Sequence, residues 1–232
     1  MLVRSESKPY TTEFSGFSYD TISFLLDLEK NNNHAWFNKH RQDYEEHLLF
    51  PLKHFVGVLG KTMLEIDSLI DTVPMINRTI TKIYRDVRFT KDKSPFKIKM
   101  WIVFKRPRKD WKNAPAYFFE LSSNAYRYGM GYYSATREVM DRYRFKIEDN
   151  SRLFLSIIMK LKKQSKFDIC GDKYKRPIKK EILSDLADLY NRKNLYLEIC
   201  NDIDSTLFSS SLIAKIRSDY LQLQPLYHFL LN

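Results

Sequence analysis

Apolar positions recur at helical spacing through the first third of the chain. Ser18 can cap a helix carrying Ile22, Leu25, Leu26 and Leu28, and the asparagines at 31–33 punctuate its end. A second helix is predicted from Asn33, with Trp36, Phe37, Tyr44, Leu48 and Leu49. Pro51 suits the first turn of a third, with Leu52, Phe55, Val56 and Leu59. After Pro74 the period changes. Residues 82–89 and 97–107 are rich in β-branched and aromatic residues, and Ile98, Met100, Ile102 and Phe104 alternate with Lys97, Lys99, Trp101, Val103 and Lys105. One face of that strand should be buried and the other partly basic.

Residues 116–123 and 125–134 read as a hairpin turning near Asn124. Helical patterning returns over 138–147 and 151–164, followed by a short strand in 166–177, a helix over 181–191 and a strand over 195–200. A terminal helix begins near Ser209 and should bend or break at Pro225. The predicted class is α+β: one domain over 14–232, a mostly antiparallel sheet flanked by N-terminal, middle and C-terminal helices, after a loose arm over 1–13.

A length of 232 residues, 44% of them hydrophobic, is enough for a substantial core in one domain. There is no long apolar run and no secretory leader at the start, so a cytoplasmic protein without membrane attachment is expected. The two cysteines, Cys170 and Cys200, each sit beside isoleucine and are expected to be buried, inert thiols; a redox pair would require them to meet in space. His40, His47 and His54 recur every seven residues without a carboxylate in ligand spacing, so no metal and no cofactor are predicted. Nucleotide-binding glycine loops and a nucleophile elbow are absent from the sequence.

Charge sharpens the picture. The formal net charge is +11, and it is concentrated: residues 78–112 hold 13 basic and 3 acidic side chains, and 142–180 hold 13 and 4, leaving the remainder net negative. A basic middle attracts phosphates, nucleic acid or an acidic partner; ordinary solvated lysines are the bland alternative.

The densest cluster lies in 83–97. There Arg85, Asp86, Arg88, Lys91, Asp92, Lys93 and Lys97 surround a turn over 90–95. Arginine grips phosphate or carboxylate in bidentate fashion, and lysines and amides around a bend suit an anion. If the cluster is instead an enzyme's, Asp86 or Asp92 would be the base, although neighbouring cations weaken a carboxylate's basicity. A third reading makes the same charges a satisfied network that fixes a loop. The aromatic hairpin, with Tyr117, Phe118, Phe119, Tyr126, Tyr128, Tyr132 and Tyr133, could stack bases, but sheet packing also explains such rings.

Several motifs in fixed order carry a family resemblance. They are Phe24-Leu25-x-x-Leu28; Asn32-Asn33-x-x-Trp36-Phe37-x-x-x-Arg41-x-x-Tyr44; Pro51-Leu52; the whole charged stretch 84–97; and Gly129-Met130-Gly131-Tyr132-Tyr133. Arg144 with Ile147, Gly171-Asp172-x-Tyr174-Lys175-Arg176-Pro177 and Gln224-Pro225-Leu226-Tyr227 complete the set. From about Phe14 onward the chain resembles the conserved-hypothetical family catalogued as domain of unknown function 2461. That resemblance implies no named chemistry. It directs attention to Asn32, Trp36, Arg41, Tyr44, Arg85, Asp86, Arg88, Lys91, Asp92, Lys93, Lys97 and Arg144 as a shared polar site. Thr136 departs from the proline expected in many members.

The expectation from sequence is therefore a binding module for an anion or phosphate-bearing ligand, with nucleic acid as one such partner. Contacts would come from Arg85, Arg88, Lys91, Lys93, Lys97, Arg41, Asn32, Trp36, Tyr44 and Arg144. An enzyme acting on a phosphorylated or carboxylated substrate, and a structural or interaction protein, are the alternatives.

Overall fold

A computed structural model describes residues 13–107, 114–164, 166–179 and 182–231. All of the expected N-terminal arm except Glu13 lies outside the described residues.

The first helix, α1 (Tyr19–Lys30), starts where its cap predicts: the Ser18 hydroxyl accepts from the Thr21 amide and the Thr21 side chain answers to the Ser18 backbone. Asn33 caps α2 (His34–Lys39) by accepting from the Trp36 amide at 2.9 Å. The long second helix expected from the sequence is broken at His40. The chain resumes as α3 (Arg41–Asp43), widens into a π-helical segment (Tyr44–Leu49), and tightens into α4 (Phe50–Ile66), with Pro51 in its first turn. The wider turn changes which residues share a face. Tyr44, Leu48 and Leu49 go inward with Leu52, Phe55, Val56 and Leu59.

Five strands form an antiparallel sheet in the order β1 (Lys99–Phe104), β2 (Ala116–Ser122), β3 (Ala125–Tyr132), β5 (Leu195–Asp202), β4 (Asp168–Cys170). Together with the helices it makes one α+β domain. The β2–β3 hairpin pairs Leu121 with Tyr126 around the expected turn. Beyond β1 the edge is covered by an irregular segment: the Val103 amide donates to the Thr79 carbonyl at 2.7 Å and the Thr81 amide to the Trp101 carbonyl at 3.0 Å. That segment satisfies groups an exposed edge would leave unpaired.

Alternation sorts the sheet's two faces. Met100, Ile102, Phe104, Tyr117, Phe119, Tyr126, Tyr128 and Met130 are buried beneath helices; Phe119 meets Phe55 at 4.5 Å and Tyr117 meets Tyr220 at 4.9 Å. Most of the hairpin's rings are thus core. The opposite face carries Trp101, Phe118, Tyr133 and Tyr196 around Arg127, whose guanidinium lies 5.0 Å from the Trp101 ring. Arg127 also donates to Glu120 at 2.8 Å and Glu198 at 3.0 Å, so this face's central cation is already neutralised.

Three further helices follow: α5 (Arg137–Asp149), α6 (Ser151–Gln164) and α7 (Ser184–Tyr190). Thr136, the departure from the family pattern, serves as the N-cap of α5 by accepting from Val139. The final helix, α8 (Ser211–Leu231), runs through Pro225 without the expected break. Proline forfeits one helical hydrogen bond, but Leu223, Leu226, Tyr227 and Leu230 are fully buried around it, and that packing holds the helix together.

The cysteines correct another expectation. Cys170 is half-buried and Cys200 exposed; they pair across the sheet with Tyr196 and Arg127 respectively, not with each other. Burial, reinforced by Glu198, pushes the Cys170 thiol up to about 11, away from thiolate reactivity.

Candidate functional site

The charged stretch forms a compact hairpin. Its legs are held by the Arg85 amide donating to the Pro95 carbonyl at 2.8 Å and the Lys97 amide donating to the Ile83 carbonyl at 2.7 Å. Only Tyr84 and Phe96 bridge as strand residues do, so the extended run expected over 82–89 is mostly loop. The hairpin is docked onto the N-terminal helices at its base. Phe96 stacks on Phe37 with centroids 4.1 Å apart. The Asn32 carboxamide binds both sides of the same residue, accepting from the Phe96 amide and donating to the Phe96 carbonyl, each at 3.0 Å. Asn32 thus acts as a short piece of strand partner, a role its sequence position does not announce.

Within the hairpin the arginines are committed. Arg88 grips Asp86 in bidentate fashion at 2.9 and 2.7 Å, and Arg85 pairs with Asp92. Asp92 also accepts from the Ser94 hydroxyl at 2.6 Å and amide at 2.9 Å, and the Thr90 hydroxyl donates to the Asp92 carbonyl at 2.7 Å. Lys93 donates to the Val87 carbonyl at 2.9 Å. These bonds hold both carboxyls well below the usual carboxylate range: Arg88 is the chief cause for Asp86, and Ser94 followed by Arg85 for Asp92. A carboxylate held that low stays ionised but is a weak base.

The lysines are differently placed. Lys91 is exposed near the tip. Lys97 stands half-buried at the hairpin's foot, where burial and the nearby Lys82 both lower its ammonium below the ordinary lysine value. Among the described residues neither Lys82 nor Lys97 forms a close ion pair, although Lys82 is near enough to Asp86 to help hold its carboxyl down.

The remaining residues expected at the site divide into two groups. Trp36 is half-buried, stacked on His40 at 4.3 Å, and Arg41 pairs with Glu45 at 3.3 Å. Tyr44 is 7% exposed, and its hydroxyl has no hydrogen-bond partner among the described residues. Burial, with Glu45 and Tyr84, pushes that hydroxyl up to about 12, and only Arg41 pulls the other way. Of these three, Tyr44 reaches the hairpin's base through Phe37, which also meets Tyr84, whereas Trp36 packs on Phe24 and His40.

Arg144 is committed elsewhere. It is 4% exposed and donates to the Tyr190 carbonyl at 3.0 Å, the Arg192 carbonyl at 2.8 Å and Asp141 at 2.8 Å, pinning α5 to the turn before β5. The sequence also gives little warning of Lys82, or of the Glu120–Arg127–Glu198 array, whose members meet only through sheet register.

The fold and hairpin define an α+β protein that presents an ion-paired loop edged with lysines, of which Lys82, Lys91 and Lys97 form no close ion pair among the described residues. The chain belongs to the family described as conserved hypothetical protein (DUF2461), whose pattern matches residues 20–229. A comparison with curated proteins finds no match. Among the described residues no helix is long and apolar enough to cross a membrane.

Proposed function

We propose that the protein is a binding module for a phosphate-bearing ligand, with Lys97 and Lys82 at the foot of the hairpin and Lys91 near its tip as the primary contacts. The observation that carries this reading is Lys97: a half-buried ammonium beside a second lysine, without an ion pair of its own among the described residues, while Lys82 is partly offset by Asp86. An anion seated there would relieve both the desolvation and the repulsion. Arg85 and Arg88, held by Asp92 and Asp86, shape the loop and contribute secondarily.

Nucleic acid is the member of this ligand class that the neighbouring surface favours, because the chain continues from Lys97 into β1 at Lys99, an exposed lysine 3.9 Å from Glu120, and on to Trp101 and the ring cluster of Phe118, Tyr133 and Tyr196. The test is fluorescence anisotropy with a labelled single-stranded oligonucleotide, and competition by nucleotides, across a salt series. Three to four lysine contacts predict a log–log salt slope of roughly −2 to −3, and Lys97→Met should weaken binding and flatten the slope by about 0.7. Absent or salt-independent binding, or a Lys97→Met variant that binds like wild type, overturns the proposal.

A further inference from the structure

The second basic block, 142–180, lies away from the hairpin and includes most of a trough. Its walls are α5, α6 and α8. One section, of about 700 Å³, is lined by Phe145, Lys146, Leu153 and Phe229 among others. It runs into another of about 490 Å³, lined by Lys160, Gln164, Leu221 and Gln222, and both sections share Ile157 and Pro225. On α6 the lining residues Leu153, Ile157, Lys160, Leu161 and Gln164 form one helical stripe. Large apolar side chains stand uncovered here: Phe145 is 70% exposed and Leu153 54%. Such a contiguous apolar patch on a charged helix pair marks an interaction surface.

We propose that this trough docks one amphipathic helix of a protein partner, with an apolar ridge and acidic flanks. Length comes from the α6 stripe: Leu153 to Gln164 spans roughly 16 Å at a helical rise, matched by a helix of about three turns lying alongside. Charge comes from α6 itself, which carries Arg152, Lys160, Lys162 and Lys163 and no carboxylate. Asp149 is the acidic residue of the lining, against Arg142, which pairs with Glu138 at 3.0 Å, Lys146, which donates to the Leu230 carbonyl at 2.7 Å, and Lys160.

A lipid surface fits less well, because these residues line a concavity while a bilayer needs protruding ones. A second copy meeting this trough with its own trough would bring the same concavity and the same basic α6, with neither a ridge nor an opposite charge.

The experiment pans a display library of helical 14-residue peptides against the full chain, with counter-selection against Leu153→Glu. Selected peptides should carry apolar residues at i, i+3 or i+4, and i+7 with Asp and Glu beside them. Leu153→Glu should weaken their binding by at least roughly tenfold and Lys160→Glu by several-fold, both with unchanged melting temperature. Peptides without acidic enrichment, or indifferent to Leu153→Glu, overturn the proposal. So does binding to anionic vesicles, or self-association in sedimentation, that Leu153→Glu abolishes: the first would assign the trough to lipid and the second to another copy.

Discussion

Replacing Asn32 by alanine isolates the contact that docks the hairpin. Phe96 is fully buried, and its amide and carbonyl each have one partner supplied by the Asn32 side chain at 3.0 Å. Deleting the carboxamide strands a donor and an acceptor, each worth about 1–3 kcal/mol when buried and unpaired. Asn32 itself is only half-buried, so water can reach part of the gap, and the expected loss is roughly 2–3 kcal/mol. For a chain of this size that corresponds to a fall in Tm of roughly 5–10 °C. Urea unfolding monitored by tryptophan fluorescence measures the loss. Amide hydrogen exchange at Phe96, Arg85 and Lys97 reports whether the hairpin loosens with it. A variant within about 0.5 kcal/mol of wild type, with unchanged exchange at Phe96, would refute the clamp and leave the Phe37–Phe96 stack as the hairpin's anchor.

Two further outcomes follow from buried polar groups. Burial alone would raise the Asp67 carboxyl, but Arg106 at 2.7 Å and the Tyr227 hydroxyl at 2.5 Å outweigh it and lower the pKa. A folded-state pKa below the unfolded one gives stability that is present above about pH 4 and lost as the pH falls through the folded value. Arg106→Leu should therefore melt lower than wild type at pH 7, with the gap narrowing in thermal scans below about pH 4; a pH-independent gap would contradict this. Arg144→Lys should cost roughly 2–4 kcal/mol in urea unfolding, because one ammonium cannot span the Tyr190 and Arg192 carbonyls. The same variant should leave oligonucleotide affinity untouched, and a selective loss of affinity would instead return Arg144 to the ligand site.

What the sequence determined by itself was local. Caps at Ser18 and Asn33, alternation through Met100, Ile102 and Phe104, and the turn near Asn124 are written in consecutive residues, because a helix end, a pleat and a tight turn are each satisfied within a few positions of the chain. The charged stretch was legible as a cluster for the same reason. Only the tertiary structure decided how those charges are spent. Whether Arg88 faces Asp86 or solvent, and whether Lys97 has a carboxylate or a second lysine for company, depends on how the loop folds back.

The same holds for residues that act at a distance in sequence. Asn32 reaches Phe96 sixty-four residues away, and Arg144 reaches carbonyls almost fifty residues on. The break at His40, the π-helical turn at Tyr44 and the uninterrupted α8 through Pro225 likewise answer to packing. Local propensity is worth tenths of a kcal/mol per residue, about 3 for a proline, whereas burying one large apolar side chain is worth about 1.5–3 kcal/mol, so the core overrules the local preference wherever several such side chains converge.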